Sequence, residues 1–165
     1  ILRHAGDDDA IDPNAPEIAF LPLGGSTLRD WVNSHYLRHL GRPEIHIYDR
    51  GEGPEYKYQG QADSVNQRDD GSRAFITHKA EAENYLHPSA IREVLATIAK
   101  SLHESSDSEV TWGELSDEKK KKKESRAKQR LNSEVVSAMT MEMLEERGGI
   151  DEFREWFSEI NQKLE

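Results

Sequence analysis

Short apolar runs alternate with longer amphipathic stretches along this chain, and the alternation restricts its fold more than any other feature. The runs at 17–23, 44–49 and 73–77 have the length and composition of buried strands. Helical periodicity follows the first run and resumes after Pro88. Strands that alternate with helices in this way predict an α/β layer built on a mostly parallel sheet flanked by helices.

The amphipathic stretches predict four helices. The first follows a cap at Ser26 or Thr27 and ends at Gly41, and the second follows Ser89 and extends to 102. Two more helices, over 127–143 and 150–164, are predicted on either side of a Gly-Gly pair. The polar stretch 51–72 is too long for a plain connector, so we expect it to be mobile or functional.

Length and composition limit the class of protein. With 165 residues the chain forms one domain. We divide it into an exposed lead-in at 1–16, an α/β core at 17–104, a polar and basic linker at 105–125 and C-terminal helices at 126–165. Because no run approaches the roughly 20 apolar residues of a membrane span and no signal peptide is evident, we expect a soluble, cytoplasmic protein. The chain has no cysteine, which excludes disulfides and thiolate metal sites.

Acidic residues follow two of the predicted strands. Asp49 ends the strand at 44–49, and Lys79, Glu81 and Glu83 come just after the strand at 73–77. Ligands collect beyond the carboxyl ends of parallel strands, where neighbouring carboxylates repel one another unless a cation lies between them. Mg²⁺ and Mn²⁺ prefer such oxygen ligands. The alternative for Asp49 is a turn residue that accepts local backbone hydrogen bonds.

Three motifs occur in a fixed order along the chain. They are Leu21–Gly25 (LPLGG) before a predicted helix, Ile45–Asp49 (IHIYD) in a predicted strand, and Ala82–Leu86 (AENYL) at the start of the next helical region. Together they resemble the Toprim domain of the overcoming-lysogenisation-defect (OLD) nucleases, and the similarity extends from about Ile18 to Leu164. In these prokaryotic proteins a Toprim nuclease follows an ABC-type ATPase.

The resemblance implies a fold, an activity and partners. The fold is a Toprim-like, Rossmann-like sheet with a C-terminal helical extension. The activity is metal-dependent DNA cleavage, controlled by the ATPase domain or subunit within a homo-oligomeric parent protein. The usual setting of such proteins is antiphage defence.

The same resemblance implies a site for two Mg²⁺ or Mn²⁺ ions about 4 Å apart. It makes Asp49 and Glu83 metal ligands with catalytic roles, adds Glu81 and Glu52 as candidate ligands, and places Lys128 where a cation offsets the charge of the phosphate. Each residue also has a plainer interpretation. Glu83 would cap a helix start, Glu81 would face solvent, and Lys128 would be one more cation on a solvated helix.

The sequence departs from the family pattern at two points. Toprim proteins carry Asp-x-Asp at the strand end, whereas here the chain reads Asp49, Arg50, Gly51, Glu52, so that the second acid is one position later. The family's first strand also carries a glutamate that 1–16 does not reproduce. Either that glutamate precedes Ile1 in a longer parent protein, or the site is incomplete. An incomplete site is the basis of a rival hypothesis, a Toprim-like interaction or scaffold module in a defence complex.

The charge distribution bears on DNA binding. The chain holds 32 acidic and 22 basic residues, a net charge of −10 that repels nucleic acid. Within 119–130, however, eight residues are basic and one is acidic. Such a stretch beside a metal site would attract phosphates through counterion release, and the alternative is a solvated helix start.

Other features receive structural interpretations. His35 and His39 are four residues apart but have no third zinc ligand nearby. Trp31, Trp112 and Trp156 suit core or interface anchors. The apolar face of 150–164 suits a partner, self-association or packing within the domain.

Overall fold

The computed structural model describes Asp7 and residues 10–23, 25–94, 129 and 131–164. Its helices and strands are mixed, and two parallel strands are flanked by helices. In chain order the first elements are α1 Gly25–Ser34, β1 Ile45–Tyr48, α2 Gln59–Asn66, β2 Arg73–Ile76 and α3 Pro88–Val94. The later ones are a π-helical turn Leu131–Val135, α4 Val136–Ala138, α5 Met141–Glu146 and α6 Ile150–Gln162. Short 3-10 turns occupy Arg38–Leu40 and Ala82–Tyr85.

The two strands form the parallel pair that the sequence predicts. Ile45 lies opposite Arg73 and Tyr48 lies opposite Ile76, so both strands end at the same edge of the sheet. The connection between them contains α2, which packs against β2. This β-α-β arrangement is what a parallel pair requires, since a tight turn cannot reverse the chain between parallel strands.

The strand predicted at 17–23 is wrong, because these residues contain no strand. Pro22 lies inside the run, and proline cannot donate a hydrogen bond to a sheet. Leu21 and Leu23 instead line a cavity of about 460 Å³ together with Ile45 and Ile47 of β1. The segment therefore flanks a gap beside β1 and does not extend the sheet.

The helices also differ from the prediction at three points. The polar stretch 51–72 contains α2, whose buried residues are Ala62 and Val65; two apolar positions are too few to reveal helical periodicity. α1 ends before His35, which has a φ of 43° in the left-handed region. The helix predicted over 127–143 is interrupted after Ala138, and Thr140 caps α5 by accepting a hydrogen bond from the Met143 N–H at 3.3 Å.

The buried side chains form two clusters. The first, called the sheet core, consists of Leu28, Val32, Tyr48, Ala62 and Val65. The second, called the helical core, consists of Tyr85, Leu86, Ala90, Leu131, Val135, Met139 and Leu144. The apolar face of α6 packs within the domain, since Phe153 contacts the helical core and Trp156 is buried.

Several predicted features lie outside the described residues. They include Lys128, the basic residues of 119–130, the linker at 105–125 with Trp112, and the second half of the helix predicted after Ser89. In the lead-in, Ile11 is buried and Asp7 forms an ion pair with Arg154 at 2.7 Å. Of the helices that the structure describes, none has the length and apolar character needed to cross a membrane.

Candidate acidic site at the strand ends

Thr77 links the two loops that leave the sheet. Its N–H donates to the Tyr48 carbonyl at 2.9 Å, and its Oγ1 accepts from the Arg50 N–H at 3.0 Å. The same hydroxyl donates to the Lys79 carbonyl at 2.7 Å. Because Thr77 is buried and fully used in hydrogen bonding, it fixes the start of both loops.

Asp49 lies where the two loops meet. Its Oδ1 accepts a hydrogen bond from the Ala82 N–H at 3.0 Å, and the Gly51 N–H donates to the Ala80 carbonyl at 2.9 Å. These contacts bring the Asp49 carboxylate beside the backbone segment that carries Glu81 and Glu83. The segments of these three predicted ligands are thus adjacent, but among the described residues their carboxylates are not grouped so that they could hold a metal ion, and Asp49 remains exposed.

A capping interaction shapes the segment that carries the two glutamates. The Asn84 side chain accepts from the Glu81 N–H at 2.9 Å, which begins the 3-10 turn Ala82–Tyr85. The Asn84 carbonyl accepts from the Arg147 guanidinium, with Nε at 3.1 Å. Tyr85 is buried in the helical core and so anchors the turn by packing. Glu83, on the same turn, is half-buried.

Glu152 of α6 is a buried carboxylate that the sequence analysis did not identify. It is 3% exposed, accepts from the His78 N–H at 2.8 Å and accepts from the Tyr85 hydroxyl. Burial, with the hydrogen bond to Glu152 as the second cause, raises the pKa of Tyr85. The signal in the sequence is weak: Glu152 is one helical turn before Trp156 and so shares its buried face.

The carboxylates at this edge offer the oxygen donors that Mg²⁺ and Mn²⁺ prefer. Glu52 is exposed on the loop that follows Gly51. Within the described part of the chain, no three His, Asp or Glu side chains are grouped to hold a metal ion. Mg²⁺ is commonly held by one or two carboxylates and retains several waters, so the side chains of Asp49 and Glu83 are of the chemical type that it takes. The Glu81 carboxylate also accepts a capping hydrogen bond from the Asn84 N–H.

A second polar cluster lies at the opposite end of β1. Glu44 accepts from the Arg68 guanidinium at 3.1 Å and from His46 Nε2 at 2.8 Å. Because a carboxylate only accepts, His46 carries its proton on Nε2, and its Nδ1 accepts from the Tyr48 hydroxyl at 2.8 Å. Arg68 also donates to the Val32 carbonyl at 3.0 Å. The cluster therefore joins α1 to the sheet.

His35 extends this cluster. Its Nε2 lies 3.3 Å from Glu44 and 3.2 Å from Asp70. His39 is exposed, and its Nε2 accepts from Arg38 at 3.4 Å. The two histidines therefore have separate surroundings.

The cluster predicts a loss of stability in acid. Burial lowers the pKa of His46 below its usual 6.5, and the hydrogen bond to Glu44 opposes this shift without reversing it. The unfolded chain then binds a proton at a higher pH than the folded chain does, so stability falls as the pH drops below about 6.5.

Urea unfolding at a series of pH values measures this effect. His46→Gln keeps one donor and one acceptor but does not titrate, so its unfolding free energy should decline less than that of the wild type between about pH 7.5 and pH 5.5. Parallel declines in the two proteins would contradict the assignment to His46.

Comparison of the chain with protein-family models, with curated proteins and with solved structures gives no match.

Proposed function

We propose that this chain is the Toprim-type nuclease domain of an OLD-like protein and hydrolyses DNA phosphodiester bonds with Mg²⁺ or Mn²⁺. An ABC-type ATPase domain or subunit controls it within a homo-oligomeric, cytoplasmic parent protein of antiphage defence. The observation that supports this function is the hydrogen bond from the Ala82 N–H to Asp49 Oδ1 at 3.0 Å. It draws the acid at the end of β1 toward the loop that carries Glu81 and Glu83.

In this proposal each residue has a chemical role. Asp49 and Glu83 hold the metal ions, with Glu81 and Glu52 as further carboxylates at the same edge. The bound ions supply an activated water and neutralise charge on the phosphate. Lys128 offsets the remaining negative charge in the transition state.

The rival function is a Toprim-like interaction or scaffold module that does not cleave DNA. The observation that favours it is that no three of the described His, Asp and Glu side chains are arranged so that they could hold a metal ion. The two functions differ in metal binding, because a working nuclease site requires the ions and a scaffold does not.

Calorimetric titration with Mn²⁺ tests the proposal. We expect the 165-residue chain to bind Mn²⁺ and Asp49→Asn to lose that binding. Asparagine retains an oxygen that accepts from the Ala82 N–H, so the substitution removes the charge and leaves the local hydrogen bond.

Asp30→Asn is the matched control, since Asp30 is exposed on α1. It should bind Mn²⁺ as the wild type does. A wild-type chain that binds no Mn²⁺, or an Asp49→Asn chain that binds it equally well, would contradict the nuclease and favour the scaffold.

A further inference from the structure

Arg50 is half-buried at the strand ends, directly after Asp49. Its guanidinium forms no hydrogen bond or ion pair with the described residues. Its Nε atom is buried and has no hydrogen-bond partner. No carboxylate of the described residues forms an ion pair with its guanidinium. Buried polar atoms are almost always paired with protein, water or a bound ion, and the described residues supply no partner for this one.

Acidic residues surround Arg50 in the sequence and at the site. Glu52 and Glu55 follow it on the same loop and are exposed, and Glu81 and Glu83 are on the neighbouring loop. A guanidinium that has lost part of its hydration is stabilised by an anion, and none of these four carboxylates serves it. The charge of Arg50 is therefore not matched by a carboxylate of the described residues.

The backbone holds Arg50 in place on both sides. Its N–H donates to Thr77 Oγ1 at 3.0 Å, and its carbonyl accepts from the Lys57 N–H at 3.2 Å. The Cβ of Lys57 lies 3.2 Å from the position that a Cβ on Gly51 would occupy, so the two ends of this loop are in close contact. The backbone of Arg50 is therefore fixed, which lowers the entropy cost of binding a ligand.

Two more cations belong to the same pair of loops. Lys57 Nζ lies 4.9 Å from the centre of the Tyr58 ring, and Lys79 Nζ lies 5.7 Å from the centre of the Tyr85 ring. With Arg50 they supply positive charge beside the acidic residues that are proposed to hold metal ions. A phosphate is the anion that such a mixed edge would suit, because the carboxylates would hold metal ions and the guanidinium would supply a further positive contact to the same backbone.

We propose that Arg50 binds a phosphate group of the nucleic-acid backbone next to the phosphate that the proposed metal site at Asp49 would cleave. The inference rests on the proposed function and adds to it the residue that positions the strand. The planar fork of arginine matches two phosphate oxygens at once, which an ammonium cannot do.

The test is binding of a short, fluorescently labelled DNA duplex to the 165-residue chain, followed by anisotropy at several salt concentrations. Ca²⁺ replaces Mg²⁺, and a gel verifies that the duplex stays intact. We expect Arg50→Ala to weaken binding on the order of tenfold. The slope of log affinity against log salt should lose about 0.9, the value for one phosphate contact.

Two variants control the test. Arg50→Lys keeps the charge, so it should keep the salt slope and recover part of the affinity. Arg29→Ala removes an exposed arginine of α1 and should leave both quantities as in the wild type. If Arg50→Ala fails to fold by circular dichroism, Arg50→Gln takes its place with the same expected loss.

The outcomes separate this inference from the proposed function. An Arg50→Ala chain with wild-type affinity and slope, or a wild-type chain that does not bind the duplex, overturns the phosphate contact whether or not Mn²⁺-dependent cleavage occurs. Reduced binding by Arg50→Ala, together with no cleavage by the wild type, supports the contact and contradicts the nuclease. Binding of inorganic phosphate that depends on Arg50, without any effect of Arg50 on DNA, assigns the site to a free anion and overturns the proposal.

Discussion

Asp49→Asn is expected to reduce Mn²⁺-dependent DNA cleavage by roughly a hundredfold or more, because it removes a charge that the metal ions require. Glu83→Gln and Lys128→Ala should have effects of similar size, the first on metal binding and the second on the charge of the phosphate. Cleavage of a supercoiled plasmid by the parent protein, followed on agarose gels, measures the rate. The asparagine keeps its hydrogen bond with the Ala82 N–H, so the fold should be unchanged.

Matched variants separate catalysis from general effects of charge. Asp30→Asn and Glu93→Gln change exposed acids on α1 and α3 and should cleave at the wild-type rate. Thermal unfolding should agree within a few degrees for Asp49→Asn and the two control variants, since substitutions of exposed residues change stability by less than about 0.5 kcal/mol. Wild-type cleavage by Asp49→Asn, Glu83→Gln and Lys128→Ala together would exclude the proposed site.

Glu152→Ala is expected to lower the free energy of unfolding by about 3 kcal/mol. The substitution removes the acceptor of both the His78 N–H and the Tyr85 hydroxyl, and Tyr85 is only 3% exposed. Water cannot easily replace the carboxylate at the buried hydroxyl, so a polar group is left without a partner. Urea unfolding followed by tryptophan fluorescence measures the difference.

Glu152→Gln should fall between the wild type and Glu152→Ala. Its amide oxygen accepts one of the two hydrogen bonds, but its NH₂ group faces the other donor. Glu155→Ala, on the exposed side of the same helix, should differ from the wild type by less than about 0.5 kcal/mol. Equal stabilities of Glu152→Ala and Glu155→Ala would show that the buried carboxylate does not stabilise the fold.

Local sequence patterns predicted the elements whose apolar residues recur within a single segment. β1 and β2 are short β-prone runs, and α6 carries aromatic residues at helical spacing, so each pattern is complete within its own segment. α2 could not be found in this way, because it buries only Ala62 and Val65 and is otherwise polar. The run at 17–23 has the composition of a strand, yet its pairing depends on a neighbouring strand that local composition does not reveal.

The candidate site was partly predictable for a related reason. Asp49 could be placed because it ends a strand, and the ends of parallel strands share one edge. Its contact with the Ala82 N–H joins positions that are 33 residues apart. Glu152 is 74 residues from His78, and no local pattern specifies a pairing across such a separation.

The division of the interior into a sheet core and a helical core has a consequence for motion at the acidic edge. Asp49 follows Tyr48 of the sheet core, whereas Glu83 comes shortly before Tyr85 of the helical core. Proteins unfold locally in cooperative units that follow such packed clusters, and each unit has its own free energy of opening. The amide proton of Gly51, bonded to the Ala80 carbonyl between the two loops, exchanges with deuterium when this backbone contact opens. Its exchange rate therefore reports how often the two acidic loops come apart.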